Sequence, residues 1–276
     1  MATIEHQMTE IYSFLDDVLK ANPSWAAWRH SNHSAPEFTD AEVITIALMQ
    51  GCFGVATLKK TYELIADNHR SAFPRLPSYK QWIARLHLLS EVVGRLVSIA
   101  CGAIGLVRLY IFDSKPLPVC APVRHGVVRL LREDGAWWGK STKGWFFGFK
   151  LHAVIDADGR ILHAMMLAGN IDDREAARVL ASALDGGIGL GDLGYGGQAF
   201  QDELAEEVEL LMLTRRDKPD KRMLLGGLRA RVEVAFADLW TKFLDRIYSR
   251  SWLGLWNTVK LKLLHHNLVA SGLLTP

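Results

Sequence analysis

The sequence has little cysteine and no long apolar run. Cys52, Cys101 and Cys120 are odd in number, far apart and without C-x-x-C spacing, which argues against a disulfide framework or a cysteine zinc site and fits a reducing cytoplasm. No stretch of about 18 uncharged apolar residues occurs, so a membrane-spanning helix is not expected. The opening MATIEHQMTEIYSF carries acids where a signal peptide would carry basic residues, so export is not expected either. Internal repeats and low-complexity linkers are missing too. At 49% hydrophobic residues in 276, the chain can bury a sizeable core, as one large domain or as a small one plus a large one.

A net charge of only +2 conceals segregation along the chain. Residues 108–155 hold 8 Lys+Arg against 3 Asp+Glu, residues 156–213 hold 3 against 12, and residues 214–276 hold 12 against 5. Two basic blocks around an acidic one suggest a polyanion-binding surface beside a carboxylate-rich face; ordinary clustering of surface charge is the competing explanation.

The first hundred residues read as helices. Ile4, Met8, Ile11, Leu15, Val18 and Leu19 follow helical spacing. Thr39 and Glu42 form a capping-box pattern before EVITIALMQ, with Gly51 and Gly54 as the stop, and VATLKKTYELIADN follows as a further helix. Ser78 and Gln81 repeat the capping-box spacing. Residues 1–105 are therefore an all-α N-terminal region, either a plain bundle or a candidate DNA-binding helix-turn-helix. After Gly105 the period becomes strand-like: VRLYIFD, GWFFGFKLHAVID and RILHAMMLAG form a meander with a turn at 156–159. Helix and strand then alternate through DREAARVLASAL, GIGLG, QAFQDELAEE, VELLMLT and the long helix LRARVEVAFADLWTKFLDRI. An apolar helix closes the chain. Residues 106–276 thus read as an α/β domain, a mixed sheet flanked by helices.

In VRLYIFDSKPLPVC, Val107, Leu109 and Ile111 alternate with Arg108, Tyr110 and Phe112, and the next inward position is Asp113. An Asp followed by Ser114, Lys115, Pro116 and Pro118 can simply end a strand in a turn. Two further acids stand in comparable places. Asp192 ends the apolar run of GIGLGDLGYGG, and Glu233 borders the apolar face of RARVEVAFADLW, one turn after Arg229. Three carboxylates brought to one point repel one another unless cations hold them, and such hard oxygen donors suit a pair of Mg²⁺ or Mn²⁺ ions. Read separately, Asp192 is a turn former and Glu233 a surface partner for Arg229.

The segments FTDAEVITIALMQ, IFDSKPLPV, KGWFFGFKLHAVIDADG, LAGNIDDREAARVL, GDLGYGG, RARVEVAFADLW and YSRSWLGLWNTVKLKLLHHNL follow one another from about residue 39 to residue 268. In that ordered set the chain resembles DDE transposases of bacterial insertion sequences, most closely the insertion-sequence 982 family. The resemblance implies a ribonuclease-H-like catalytic core over residues 106–276, with Asp113, Asp192 and Glu233 as catalytic metal ligands for Mg²⁺ or Mn²⁺, two ions in all. It also implies DNA as partner, both element ends and target, a homodimer or larger assembly on DNA, no membrane, and a place in the bacterial cytoplasm at the nucleoid. The candidate phosphate contacts are Lys140, Lys143, Lys150, Arg229 and Lys242, the last being the nearest lysine after Glu233. Leu193 follows the second Asp where relatives often carry Lys.

Other features keep two explanations each. Trp137, Trp138 and Trp145 in the basic block pack in a core or loop, or else stack on an unpaired base. His152, His265 and His266 are hydrogen-bonded or solvated histidines, or ligands. Asp172 and Asp173 read first as the N-cap and first-turn acid of a helix, and second as acids near the metal. A catalytically inert DNA-binding relic or repressor, and a ribonuclease-H-like nuclease without strand transfer, are the alternative functions.

Overall fold

The computed structural model describes residues 2–28, 36–102, 108–191, 193–212, 234, 237 and 248–276. In chain order the helices and strands are α1 (Ile4–Ala21), α2 (Asp40–Phe53), α3 (Leu58–Asn68), α4 (Tyr79–Leu88), α5 (Ser90–Ala100), β1 (Leu109–Cys120), β2 (Trp137–Ser141), β3 (Gly144–Asp156) and β4 (Ile161–Ala168). Then come α6 (Asp173–Ala181), β5 (Ile188–Gly191), α7 (Gln198–Leu204), β6 (Glu209–Met212) and α8 (Trp252–Ala270). Two compact units result: Met1–Ala100 with Leu253–Pro276, and Cys101–Trp252.

The first unit is all helical. The capping box that opens α2 is complete: the Glu42 N–H donates to Thr39 Oγ1 at 3.1 Å and the Thr39 N–H to Glu42 Oε2 at 2.6 Å. Nearly every residue of α2 from Asp40 to Gln50 is buried, so this helix is the centre of the bundle. Gly54, with φ of 63°, ends it. Gly51, expected to share that role, instead lies inside the helix, where the His265 ring packs so closely that a Cβ would collide with it. After the turn α3 departs at 99° from α2. No single helix among the described residues is long and apolar enough to cross a membrane.

Helix α8 reads as apolar, and the sequence grouped it with residues 106–276; its polar side chains tie it to the helical unit. Asn257 Nδ2 donates to the Leu86 carbonyl at 3.1 Å, Lys260 Nζ to the Ser90 carbonyl at 3.0 Å, and Asn267 Nδ2 to the Val97 carbonyl at 3.1 Å. Buried carbonyls at the ends of α4 and α5 need donors, and hydrophobic periodicity cannot say which element will supply them.

The second unit is built on a six-stranded mixed sheet in the order β2–β3–β1–β5–β6, with β4 also paired to β3. One edge of β3 pairs with β1; the other is shared, β2 taking Gly144–Gly148 and β4 taking Phe149–Ile155. The meander is antiparallel, whereas β1, β5 and β6 run parallel. Helices α6 and α7 cover one face, with Ala177, Leu180, Phe200 and Leu204 packed in one core with Tyr110, Phe112, Val154 and Leu162. A three-strand meander followed by parallel strands is consistent with the ribonuclease-H-like expectation.

Strand β1 does not stop at Asp113. It continues through Pro116 and Pro118 to Cys120, because of where the backbone groups point. The Ile188 N–H donates to the Arg108 carbonyl, so even-numbered residues of β1 aim their N–H and C=O towards β5, and odd-numbered ones towards β3. β5 ends at Gly191, whereas the β1–β3 ladder runs on to Cys120. Both prolines therefore place their missing N–H on the side where no strand is required, the position a sheet tolerates.

Candidate active site around Asp113

Asp113 is half-buried in β1, opposite Ala153 of β3. The Ser114 N–H, which points to the β5 side, donates to Asp113 Oδ1 at 2.8 Å. The carboxylate thus covers a backbone donor just past the last described β1–β5 pair, Ile111–Leu190. On the neighbouring strand, Gly191 closes β5 and a single helical turn follows at Leu193–Tyr195. Tyr195 is buried, with its ring 6.3 Å from that of Phe112. A Cβ on Gly191 would lie 3.0–3.2 Å from the Tyr195 side chain, so the glycine lets the ring seat against the strand end.

Side chains alternate along a strand, so Asp113 shares a sheet face with Ile111, Lys115 and Ala153, while Lys150 and His152 lie on the opposite face, with α6. Lys150 Nζ makes an ion pair with Asp173 Oδ1 at 2.6 Å. His152 is 1% exposed, and neither ring nitrogen has a hydrogen-bond partner among the described residues; its Nδ1 stands 3.8 Å from Asp173 Oδ1. Burial, helped by Lys150 and opposed by Asp173, depresses its pKa to about 4. Asp172 caps α6 as expected, accepting from the Arg174 N–H at 2.9 Å; hydrogen bonds from Arg174 hold its carboxyl down at about 2.

The fold brings Lys140 and Lys150 to one open cavity of about 480 Å³, lined also by Trp138, Trp145, Gly169 and Asp173. Lys143 is exposed in the β2–β3 turn. Trp138 has a packing role, its ring 4.6 Å from His125 and 5.7 Å from Phe147, whereas Trp137 and Trp145 are 55% and 62% exposed. His265 packs on Gly51 and Cys52 in the helical unit. Asp192, Arg229, Glu233 and Lys242 lie outside the described residues. Among the described residues no group of three His, Cys, Asp or Glu side chains is placed to hold a metal ion.

For two residues the sequence reading missed the role that the fold gives them. Lys115 falls on the Asp113 face, a placement signalled only by its i+2 spacing once the strand is known to continue. Asp173 is the partner of Lys150, and nothing in the 23-residue separation announced the pair.

The second unit is thus an α/β sheet domain with a carboxylate on a central strand, beside the end of a parallel neighbour. Residues 105–229 match the family model of the transposase DDE domain, which supports a transposase function. The matched stretch includes positions 113 and 192 and stops before 233. No curated protein and no solved structure matches the chain.

Proposed function

We propose that the chain is a DDE transposase of bacterial insertion sequences, of the insertion-sequence 982 family, which cleaves the ends of its element and joins them to target DNA. One observation carries the assignment of the acids. Ile111 pairs with Leu190 in parallel register, and two residues further along each chain the sequence reads Asp113 and Asp192. Asp113 supplies a hard, partly exposed oxygen donor, the type that Mg²⁺ or Mn²⁺ prefers, and Asp192 and Glu233 complete the proposed set. When bound, such ions lower the pKa of water and stabilise charge on the phosphoryl oxygens.

The remaining work falls to the chain. Ser114 holds the Asp113 carboxylate in one orientation through its N–H. The Ser114 bond and the β1–β3 ladder fix the acid on a rigid element rather than a loop. Water attacks the phosphodiester at the element end, leaving a 3′-hydroxyl and a 5′-phosphate. That 3′-hydroxyl then attacks a target phosphodiester and displaces a target 3′-oxygen, with no covalent enzyme intermediate. Lys140, Lys143, Arg229 and Lys242 contact phosphates, which gives affinity without sequence information and a steep loss of binding with salt. Lys150, paired with Asp173, serves the second sheet face instead. A helix-turn-helix formed by α2 and α3 is the proposed reader of element ends, with assembly of two or more copies on DNA.

Purified protein is tested with DNA carrying the inverted repeats that flank the gene, in Mg²⁺. Wild type cuts and joins; Asp113→Asn binds the same DNA and does neither. Undiminished cutting by that variant would remove Asp113 from the site. Cutting without joining would leave a nuclease.

A further inference from the structure

We propose that the cleft between the β2–β3 hairpin and residues 169–173 holds one unpaired nucleotide of DNA, its base stacked on Trp145 and its phosphate at Lys140. The inference rests on the transposase reading and adds the strand state that this surface recognises.

Trp145 is 62% exposed on a regular strand, an unfavourable position for a large apolar ring unless something covers it. Lys140 is its register partner across the hairpin, with Nζ 5.8 Å from the ring centroid, so a fixed positive charge accompanies the exposed aromatic face. Lys143 adds a second exposed cation at the hairpin turn. The other wall is brought close by two glycines. A Cβ on Gly169 would come 2.7 Å from the Trp137 carbonyl, and one on Gly139 would collide with the Gly169 carbonyl. The loop that follows places Asn170 at the cavity, an amide able both to donate and to accept at a base edge.

The acids of that loop do not oppose an anion as free charges, since Asp172 pairs with Arg174 at 2.8 Å and Asp173 with Lys150 at 2.6 Å. At about 480 Å³ the cavity suits a single base and its sugar rather than a duplex. Stacking needs an aromatic face freed from its pairing partner, which is why the occupant is unpaired DNA.

The test uses the full chain and fluorescein-labelled DNA of arbitrary sequence, either as a blunt duplex or as the same duplex with a single-stranded 3′ tail. Wild type binds the tailed DNA more tightly. Trp145→Ala weakens binding of the tailed DNA about tenfold and of the blunt duplex less than about twofold. Trp137→Ala, equally exposed but outside the cavity lining, leaves the preference intact. Trp145→Phe keeps most of the affinity and loses the tail-induced quenching of tryptophan fluorescence, a readout that holds even where the alanine variant folds poorly. Equal weakening on both DNAs, or quenching unchanged in Trp145→Phe, overturns the proposal while leaving the transposase reading in place. Wild type that binds neither DNA overturns the transposase reading itself.

Discussion

Lys150 Nζ and Asp173 Oδ1 stand 2.6 Å apart on the α6 face of the sheet, while Asp113 occupies the other face. A lysine that reads from sequence as a phosphate contact is thus already engaged, with its side chain 14% exposed. Lys150→Met leaves Asp173 without its cation, next to the buried His152 ring. The expected cost is about 1–3 kcal/mol in urea unfolding, larger than for Lys140→Met, which removes an exposed charge and its contact with the exposed Trp145 ring.

Stability should climb with pH through two separate windows. His152 has its folded pKa depressed to about 4, so between about 6.5 and 4 the unfolded chain binds the extra proton, and stability is lost as pH falls through that range. The full effect is on the order of 3 kcal/mol, and His152→Leu should flatten the profile there. Lys262 is 3% exposed, and burial lowers its pKa to about 7. From about 7 to 10.5 the unfolded chain again holds more protons, so stability rises with pH. Lys262→Met should stabilise the protein at pH 7 and lose that advantage by pH 10.5. Urea melts of both variants at pH 5, 7 and 10, set against wild type, decide the matter.

The prolines of β1 yield a positional test. Pro116→Ala restores an N–H on the side away from β3 and should cost only about 0.4–1 kcal/mol, through the added freedom of the unfolded chain. Lys115→Pro removes an N–H aimed at β3, opposite Leu151, and should cost about 3 kcal/mol or more. Similar melting temperatures for the two variants would contradict the backbone orientation described above.

Gly139→Ala probes the wall of the cavity. Its methyl would meet the Gly169 carbonyl and the Phe146 ring, and neither can withdraw without moving the loop or the core. Destabilisation of about 1–3 kcal/mol is expected, with weaker binding of tailed DNA. Gly126→Ala, where a Cβ would meet nothing within 4 Å, is the neutral control.

Local rules in the sequence determined a good deal. Thr39 and Glu42 announced the start of α2, Asp172 the start of α6, and the alternation of LYIF a strand, because capping and side-chain periodicity involve only neighbours in the chain. The acid at position 113 was legible as a candidate, as was the acid two residues past Leu190.

Tertiary structure decided what depends on partners distant in sequence. Pro116 looks like a strand end until β3 is seen pairing on its other side, and Gly51 looks like a helix stop until His265 is seen against it. Lys150 looks like a free phosphate contact until Asp173 is found beside it, and α8 looks like part of the sheet domain until its asparagines reach the carbonyls of α4 and α5. In each case the deciding term is a hydrogen bond, an ion pair or a steric contact across the fold, and no periodicity along one segment carries that information.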